Sequence, residues 1–316
     1  MSIPKVALIG FGRQGRHHFA ALQQLAAARQ VELVGVCDVI YQPNVGVPFF
    51  LKYPELLSET HPNVVIVTAP NFLHHQICLA ALEAGCDVIK EKPLDITLEG
   101  GLKLVNQAKK LGRMIMTTQQ RYHSPLFQEA KNLLAYIGRL HHFSYIFTLD
   151  DHQQSWYWER EKSGGGSWLN IGWHGISTLS WLLGDITQVA LAENSGGKRP
   201  WTYTTDHSSL AKLVLDNSVN GTAFFSCVYP KEEQLLIYGS TGRLEINRKQ
   251  IRLQSPQLQI EMKVAAEEEG VYLKQLHFLL NAWQTHNYNM DRDLKILQVI
   301  QAGTNSFSQG GRYEKC

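Results

Sequence analysis

Gly10, Gly12 and Gly15 stand in the spacing G-x-G-x-x-G, with Phe11, Arg13 and Gln14 between them. That spacing suits a phosphate cradle. The first glycine permits a tight turn, the second lets the backbone approach a pyrophosphate, and the third lets a helix pack close to a strand. A helix opening there offers free N–H groups and a positive dipole end to an anion. With 25 glycines in 316 residues, chance supplies such a triple roughly 0.15 times per chain, so the pattern alone is weak. Its context is specific. The apolar run Lys5–Ile9 precedes it, the Ala/Leu/Gln-rich stretch Gln14–Arg29 follows, and Asp38 ends the next apolar run 23 residues after Gly15. Asp38 is placed to accept hydrogen bonds from ribose hydroxyls. A carboxylate there repels a 2′-phosphate, and Val39, Ile40 and Tyr41 follow it rather than an arginine. NAD is the expected cofactor and NADP the alternative. The plainer reading is a glycine turn that only packs a helix.

Hydride transfer from an alcohol carbon also needs a base for the hydroxyl proton. His174 suits that task, because imidazole titrates near neutral pH. Asn170 stands four residues before it, on the same face if the segment is an α-helix, and Thr178 continues that face with Ser177 nearby. An amide at 170 can donate to and accept from a hydroxyl, or orient the ring, but cannot stabilise an imidazolium by charge. Lys92 follows the fourth apolar run, at the end of the strand where ligands of open α/β sheets sit. Each has a plainer alternative: a core histidine, a helix cap and a solvated lysine.

Trp156, Tyr157, Trp158, Trp168 and Trp173 crowd around Gly164–Gly166. Aromatic faces suit sugar rings, although core or subunit interface is an equal use for them. Arg160 is a candidate for substrate or cofactor, or for a surface ion pair. The pairs His17-His18, His74-His75 and His141-His142 invite a metal, but adjacent side chains diverge on a strand or helix. No Cys/His/carboxylate set completes a tetrahedron in the sequence, so no metal is expected.

The elements that must position these groups fall into two halves. Up to residue 120, the apolar runs Lys5–Ile9, Val31–Cys37, Val64–Thr68, Val88–Ile89 and Met114–Thr117 alternate with helical patterns at Gln14–Arg29, Leu73–Ala84 and Leu98–Leu111. That alternation predicts a doubly wound parallel sheet. Between Val39 and Tyr53, Pro43, Gly46 and Pro48 forbid a long helix, so the second crossover is short or irregular. After Arg121 a helix over Pro125–Tyr136 leads into strands at His141–Leu149, Val189–Ala192, Ser208–Leu215, Val219–Tyr229, Gln234–Tyr238 and Arg243–Ile246. These predict an open, mostly antiparallel sheet, with a helix at about Leu169–Leu183 inserted. Helices close the chain at Tyr272–Thr285 and Arg292–Asn305, with Glu267–Glu269 as an acidic first turn. The division is 1–120 for the dinucleotide and 121–316 for substrate and oligomer contacts.

Bulk properties set limits. A net charge of +2 argues against a nucleic-acid partner. Five cysteines without a CxxC spacing suit a reducing compartment. No signal-peptide pattern or long apolar stretch is present, so no membrane partner and a cytoplasmic location are expected.

Several motifs together resemble the glucose–fructose oxidoreductase/inositol dehydrogenase family (Gfo/Idh/MocA). Thr68-Ala69-Pro70-Asn71-Phe72-Leu73-His74 is similar to its T-P-N-x-x-H, and Glu91-Lys92-Pro93-Leu94 to its E-K-P-x. Gln120-Arg121-Tyr122 resembles the segment leaving the dinucleotide domain, and Ile137-Gly138-Arg139 the I-G-x turn. Gly164 to His174 resembles G-G-G-x-L-x-D-x-G-x-H, and Tyr238 to Gly242 the G-T-x-G hairpin. The resemblance implies a Rossmann domain plus a C-terminal α+β domain. It implies NAD(P)-dependent oxidation or reduction of a sugar, polyol or related cyclic alcohol or ketone, and a homodimer or homotetramer paired through the sheet face. It adds Pro70, Asn71, His74, Glu91 and Lys92 to the cofactor contacts. It places Arg121, Trp158, Arg160, Asn170 and His174 at the substrate, with Lys92 and His174 in acid–base roles and Asn170 orienting. Asn170 and Ser177 stand where the pattern has Asp. On the same fold, an NAD-using glycosidase, a biliverdin-type pigment reductase and a non-catalytic nucleotide-binding protein are the alternatives.

Overall fold

The computed structural model describes residues 3–150, 155–195, 204–263 and 270–316. Two compact units divide the chain: Met1–Gln120 with Gly270–Leu294, and Arg121–Glu269 with Lys295–Cys316. Residues 270–294 thus pack with the first unit, where a contiguous division at residue 120 would place them in the second.

The first unit opens with β1 (Lys5–Ile9), α1 (Arg13–Ala27), β2 (Glu32–Cys37), β3 (Phe49–Phe50), α2 (Tyr53–Thr60) and β4 (Val64–Val67). It continues with α3 (Asn71–Glu83), β5 (Asp87–Lys90), α4 (Leu98–Lys110) and β6 (Ile115–Thr117). Among the described residues the strands form one parallel sheet in the order β3-β2-β1-β4-β5-β6. β4, an unbroken apolar run, is buried throughout, and so is β5, whose Val88 and Ile89 are flanked by the buried charged residues Asp87 and Lys90. The chain leaves β1 to one side for β2 and to the other for β4. That reversal opens a crevice at the carboxyl ends of β1 and β4. The crossover after β2 is irregular, as Pro43, Gly46 and Pro48 dictate, but it ends in two elements with no expected counterpart, β3 and α2.

The second unit holds α5 (Pro125–Leu133), β7 (Leu140–Thr148), α6 (Arg160–Ser163), a π-helical turn (Ser167–Ile171) and α7 (Gly172–Leu183). Then come β8 (Ile186–Asn194), β9 (Ser208–Leu215), β10 (Asn220–Ser226), β11 (Glu232–Gly239), β12 (Arg243–Asn247), β13 (Gln250–Gln254) and β14 (Gln259–Lys263). α8 (Val271–Gln284), α9 (Met290–Ser308) and β15 (Glu314–Lys315) close the chain. The sheet runs β14-β13-β12-β11-β7-β10-β9-β8-β15 and is antiparallel except where β7 meets β10. One face is buried through Phe143, Tyr145, Phe147, Ala223 and Phe225. On the other, Leu210 pairs across Phe224 to Ile146, and this face is partly open. β13, β14 and β15 were not expected: the first two are short and mix polar with apolar residues, and β15 is a charged pair at the sheet edge. The expected acidic turn Glu267–Glu269 lies outside the described residues. α8 starts after Gly270 and packs on α1, its Leu276, Leu279 and Leu280 joining Val6, Leu8, Leu22 and Leu25 in one core.

Candidate functional site

The glycine turn divides its labour. Gly10 has φ of 99°, and a Cβ there would lie 2.7 Å from the Ala69 nitrogen. A Cβ on Gly15 would lie 2.2 Å from the Gly10 carbonyl oxygen. These two glycines serve the fold. A Cβ on Gly12 would meet nothing within 4 Å. Gly12 is the N-cap of α1 and makes no side-chain cap. Open space thus faces the N-terminus of α1, where the backbone N–H groups of the first turn point, and a donor set of that kind fits a pyrophosphate.

Asp38 is built into this turn. Its Oδ2 accepts the Phe11 N–H at 2.5 Å, and its Oδ1 accepts the Ile40 N–H at 3.0 Å. Each oxygen keeps a further lone pair that suits a ribose hydroxyl. No arginine directly follows Asp38 in sequence, yet Arg16 reaches the same loop from α1. Its guanidinium lies 5.0 Å above the Phe11 ring, and its Nη2 donates to Gln42 Oε1 at 3.0 Å. Gln14 accepts the Tyr272 hydroxyl at 2.6 Å, and Arg13 is exposed.

At the carboxyl ends of β4 and β5 the structure adds detail that spacing did not show. Pro70 caps α3, and Asn71 is buried in its first turn. His74 is buried and donates Nε2–H to the Ala69 carbonyl at 2.7 Å. Burial, then the charge of Lys90, holds its pKa well below the usual imidazole value, so the ring is neutral. Glu91 uses both carboxylate oxygens inside the protein, for His18 Nε2 at 2.8 Å and Thr118 Oγ1 at 3.0 Å. Burial pushes this carboxyl up, but the hydrogen bond and charge of His18, with Lys92 and Thr118, outweigh it and hold it below the ordinary range. Lys92 itself is half-buried, just before a cis bond to Pro93. Lys90, fully buried, donates its ammonium to the Pro93 and Leu94 carbonyls and so fastens the segment that follows Lys92.

In the second unit, Asp206 organises the glycine run. Its carboxylate accepts the Gly166 N–H (2.8 Å), the Ser167 hydroxyl (2.6 Å) and the Trp168 N–H (2.8 Å). It thereby satisfies the orphan donors that open the π turn. A Cβ on Gly166 would lie 1.8 Å from the Asp206 carbonyl oxygen, so only glycine fits. His174 is half-buried on α7, its ring edge-on to Phe147 at 6.0 Å. The Ser177 and Thr178 hydroxyls both turn back to the His174 carbonyl.

Several expected substrate contacts have internal duties. Asn170 has no exposed surface and donates Nδ2 to the Gly165 carbonyl at 2.7 Å. It lies in the π turn rather than in α7, so the spacing to His174 is not that of a regular α-helix. Arg121 is buried, its Nε 2.8 Å from Glu233 Oε1 and its guanidinium 5.0 Å from the Phe147 ring. Tyr145 donates its hydroxyl to the same Glu233 oxygen at 2.5 Å. Trp158, Trp168 and Trp173 are core residues, so the aromatic cluster is largely packing. Arg160 pairs with Glu193 (3.5 Å) and Asp206 (3.7 Å). Lys90, Asp206, Glu233 and Tyr272 went unrecognised in the sequence, and His18 drew notice only as one of an adjacent histidine pair. The hydrogen-bond partners of the His18, Asp206, Glu233 and Tyr272 side chains lie 38 or more residues away along the chain, and those of Lys90 are nearby backbone carbonyls that no residue type announces. Among the described residues no group of three or more His, Cys, Asp or Glu is arranged to hold a metal, and no helix is long and apolar enough to cross a membrane.

Comparison with known proteins agrees with this architecture. Residues 4–119 match the oxidoreductase family with an NAD-binding Rossmann fold, and residues 127–245 match the GFO/IDH/MocA C-terminal domain. The inositol 2-dehydrogenase/D-chiro-inositol 3-dehydrogenase of Lactiplantibacillus plantarum is 26% identical over 258 residues, covering 77% of this chain and 71% of that protein. The 1,5-anhydro-D-fructose reductase of Ensifer adhaerens is 31% identical over 151 residues, 45% of this chain and 44% of the reductase. In fold, the chain is similar to a levoglucosan dehydrogenase solved with NADH and levoglucosan, with a TM-score of 0.88 at 17% identity over 99% of this chain and 98% of that one. The chain belongs to the GFO/IDH/MocA family and is an NAD-binding oxidoreductase with a Rossmann fold.

Proposed function

We propose that this oxidoreductase transfers hydride between NAD and a sugar, polyol or related cyclic alcohol or ketone. One observation carries the reading: a single unit holds the open-faced α1 N-terminus at Gly12 and, just past β5, Lys92 on a segment fastened by Lys90. NAD supplies the hydride acceptor or donor when bound. Gly12 and the first N–H groups of α1 hold the pyrophosphate, and Asp38 takes the ribose hydroxyls. Lys92 carries an N–H donor toward the reacting oxygen and stabilises developing negative charge there. His174 is the second proton carrier. With Asn170 committed to Gly165, His174 works without a carboxylate at position 170. The names of the inositol and anhydrofructose relatives support a polyhydroxylated ring as substrate. A cytoplasmic homodimer or homotetramer, paired through the open sheet face around Leu210 and Tyr238, completes the proposal.

The test follows absorbance of the reduced nicotinamide with NAD or NADP and a panel of sugars, inositols and anhydrosugars. Lys92→Ala and His174→Ala should each lower turnover about 10²–10⁴-fold, the usual worth of a positioned proton carrier. Full turnover in both variants would remove them from the mechanism. Sedimentation velocity reads the oligomer.

A further inference from the structure

One chain of contacts, buried at His18 and Glu91 and half-buried at Gln14 and Tyr272, joins the N-terminus of α1 to Lys92. Gln14 and His18 are four residues apart on α1, on one face. Tyr272 of α8 touches both: its hydroxyl donates to Gln14 Oε1 at 2.6 Å, and its ring meets the His18 ring edge-on at 5.3 Å. His18 has no exposed surface, and its Nε2 lies 2.8 Å from Glu91 Oε1. Because Glu91 is held ionised, that carboxylate can only accept, so His18 is the donor. The other Glu91 oxygen takes the Thr118 hydroxyl at 3.0 Å, and the Glu91 N–H donates to the Val67 carbonyl at 2.8 Å. Glu91 is therefore immobilised by α1, β4 and the end of β6, and Lys92 is the next residue. A functional side chain is only as well placed as the groups that hold its neighbours.

We propose that His18 and Tyr272 are positioning residues that tie Lys92 to the dinucleotide-binding helix. The inference rests on the role given to Lys92 above. The network keeps Lys92 in register with whatever seats at the α1 N-terminus. A cofactor anchored at Gly12 then finds Lys92 at a set place rather than on a mobile segment.

The experiment uses the full chain and reads Lys92 directly. Acetic anhydride labels lysines, and peptide mass spectrometry gives the acylation rate at Lys92 with and without saturating NAD. In the wild type NAD should slow labelling of Lys92 severalfold. His18→Met removes the donor to Glu91, and Tyr272→Phe keeps the ring but drops the hydroxyl on Gln14. In both, the NAD-dependent slowing should shrink toward unity while calorimetry shows NAD affinity close to wild type. Turnover should fall by up to about 10²-fold with the KM for NAD little changed, the loss that goes with a misplacement of roughly 1 Å. Gln24→Ala, exposed on the same helix, should change neither readout. If His18→Met does not fold, Tyr272→Phe decides alone. Wild-type protection of Lys92 in the folded variants overturns the positioning role, as does NAD binding that never protects Lys92 in the wild type. A wild type that fails to bind NAD at all overturns the functional reading as well, so the two failures differ.

Discussion

The Asn170 amide donates to the Gly165 carbonyl at 2.7 Å in a place without exposed surface. This contact needs an N–H donor. A carboxylate would set acceptor against acceptor, so Asn170 closes the glycine run in a way that an ionised aspartate cannot. Asn170→Asp should therefore destabilise the second unit by about 1–3 kcal/mol, the cost of an unsatisfied buried group. The introduced carboxyl, when protonated, donates as the amide does, so its folded pKa rises above the unfolded value. The variant should be closest to wild type in acid and weakest above that raised pKa. Urea titrations across pH check it, and a variant as stable as wild type at neutral pH would refute it.

The three glycines separate by experiment. Gly15→Ala drives a methyl into the Gly10 carbonyl and should cost roughly 1–3 kcal/mol or more in stability. Gly12→Val puts its Cβ into open space and should cost only about 1 kcal/mol, the loss of a favourable N-cap residue. NAD binding, read by calorimetry, should nonetheless be lost in Gly12→Val. Retained binding there would sink the cradle.

Glu193 is pushed up to about 7, by burial first and by Asp206 second, against the pull of Arg160. The unfolded carboxyl titrates near 4.3, so the folded state keeps a proton that the unfolded state releases between those values. This group's contribution to stability is complete below about pH 4.3 and falls as pH rises to about 7, with a slope of up to about 1.4 kcal/mol per pH unit. Glu193→Gln should flatten that slope and stabilise the protein at neutral pH. Denaturation midpoints measured across the window decide.

Arg121 and Glu233 form a buried pair, and removing Arg121 leaves the Glu233 carboxylate buried without that cation. Arg121→Met should cost about 3–5 kcal/mol, and much of that loss should return in Arg121→Met with Glu233→Gln. A double-mutant cycle in urea measures the coupling. A coupling near zero would return Arg121 to the candidate substrate contacts.

The cofactor half was legible because its determinants are local. Gly10, Gly12, Gly15 and Asp38 declare themselves by spacing and by the strands they follow, and Lys92 by the end of its strand. What stayed hidden depends on distance along the chain. Glu233 lies 112 residues from Arg121, and Asp206 lies 40 residues from the Gly166 N–H it caps. No periodicity marks such pairs. Asn170 and Trp158 show a related limit: residue type suggests a ligand contact, while burial, which sequence does not show, turns both side chains inward. The crossover after β2 shows the reverse case, since Pro43, Gly46 and Pro48 announced its irregularity but not the short β3 and α2 that follow.

The docking of α8 on α1 also bears on how the protein is made. Leu276, Leu279 and Leu280 belong to the core of the first unit, yet residues 121–269 are synthesised before them. On the ribosome the dinucleotide-binding fold waits, with part of its apolar surface uncovered, until residue 294 has emerged. A fragment ending at residue 120 is left in that state permanently, sticky and short of its last helix. A chain that runs on through residue 294, rather than its N-terminal piece, is what yields a finished dinucleotide-binding unit.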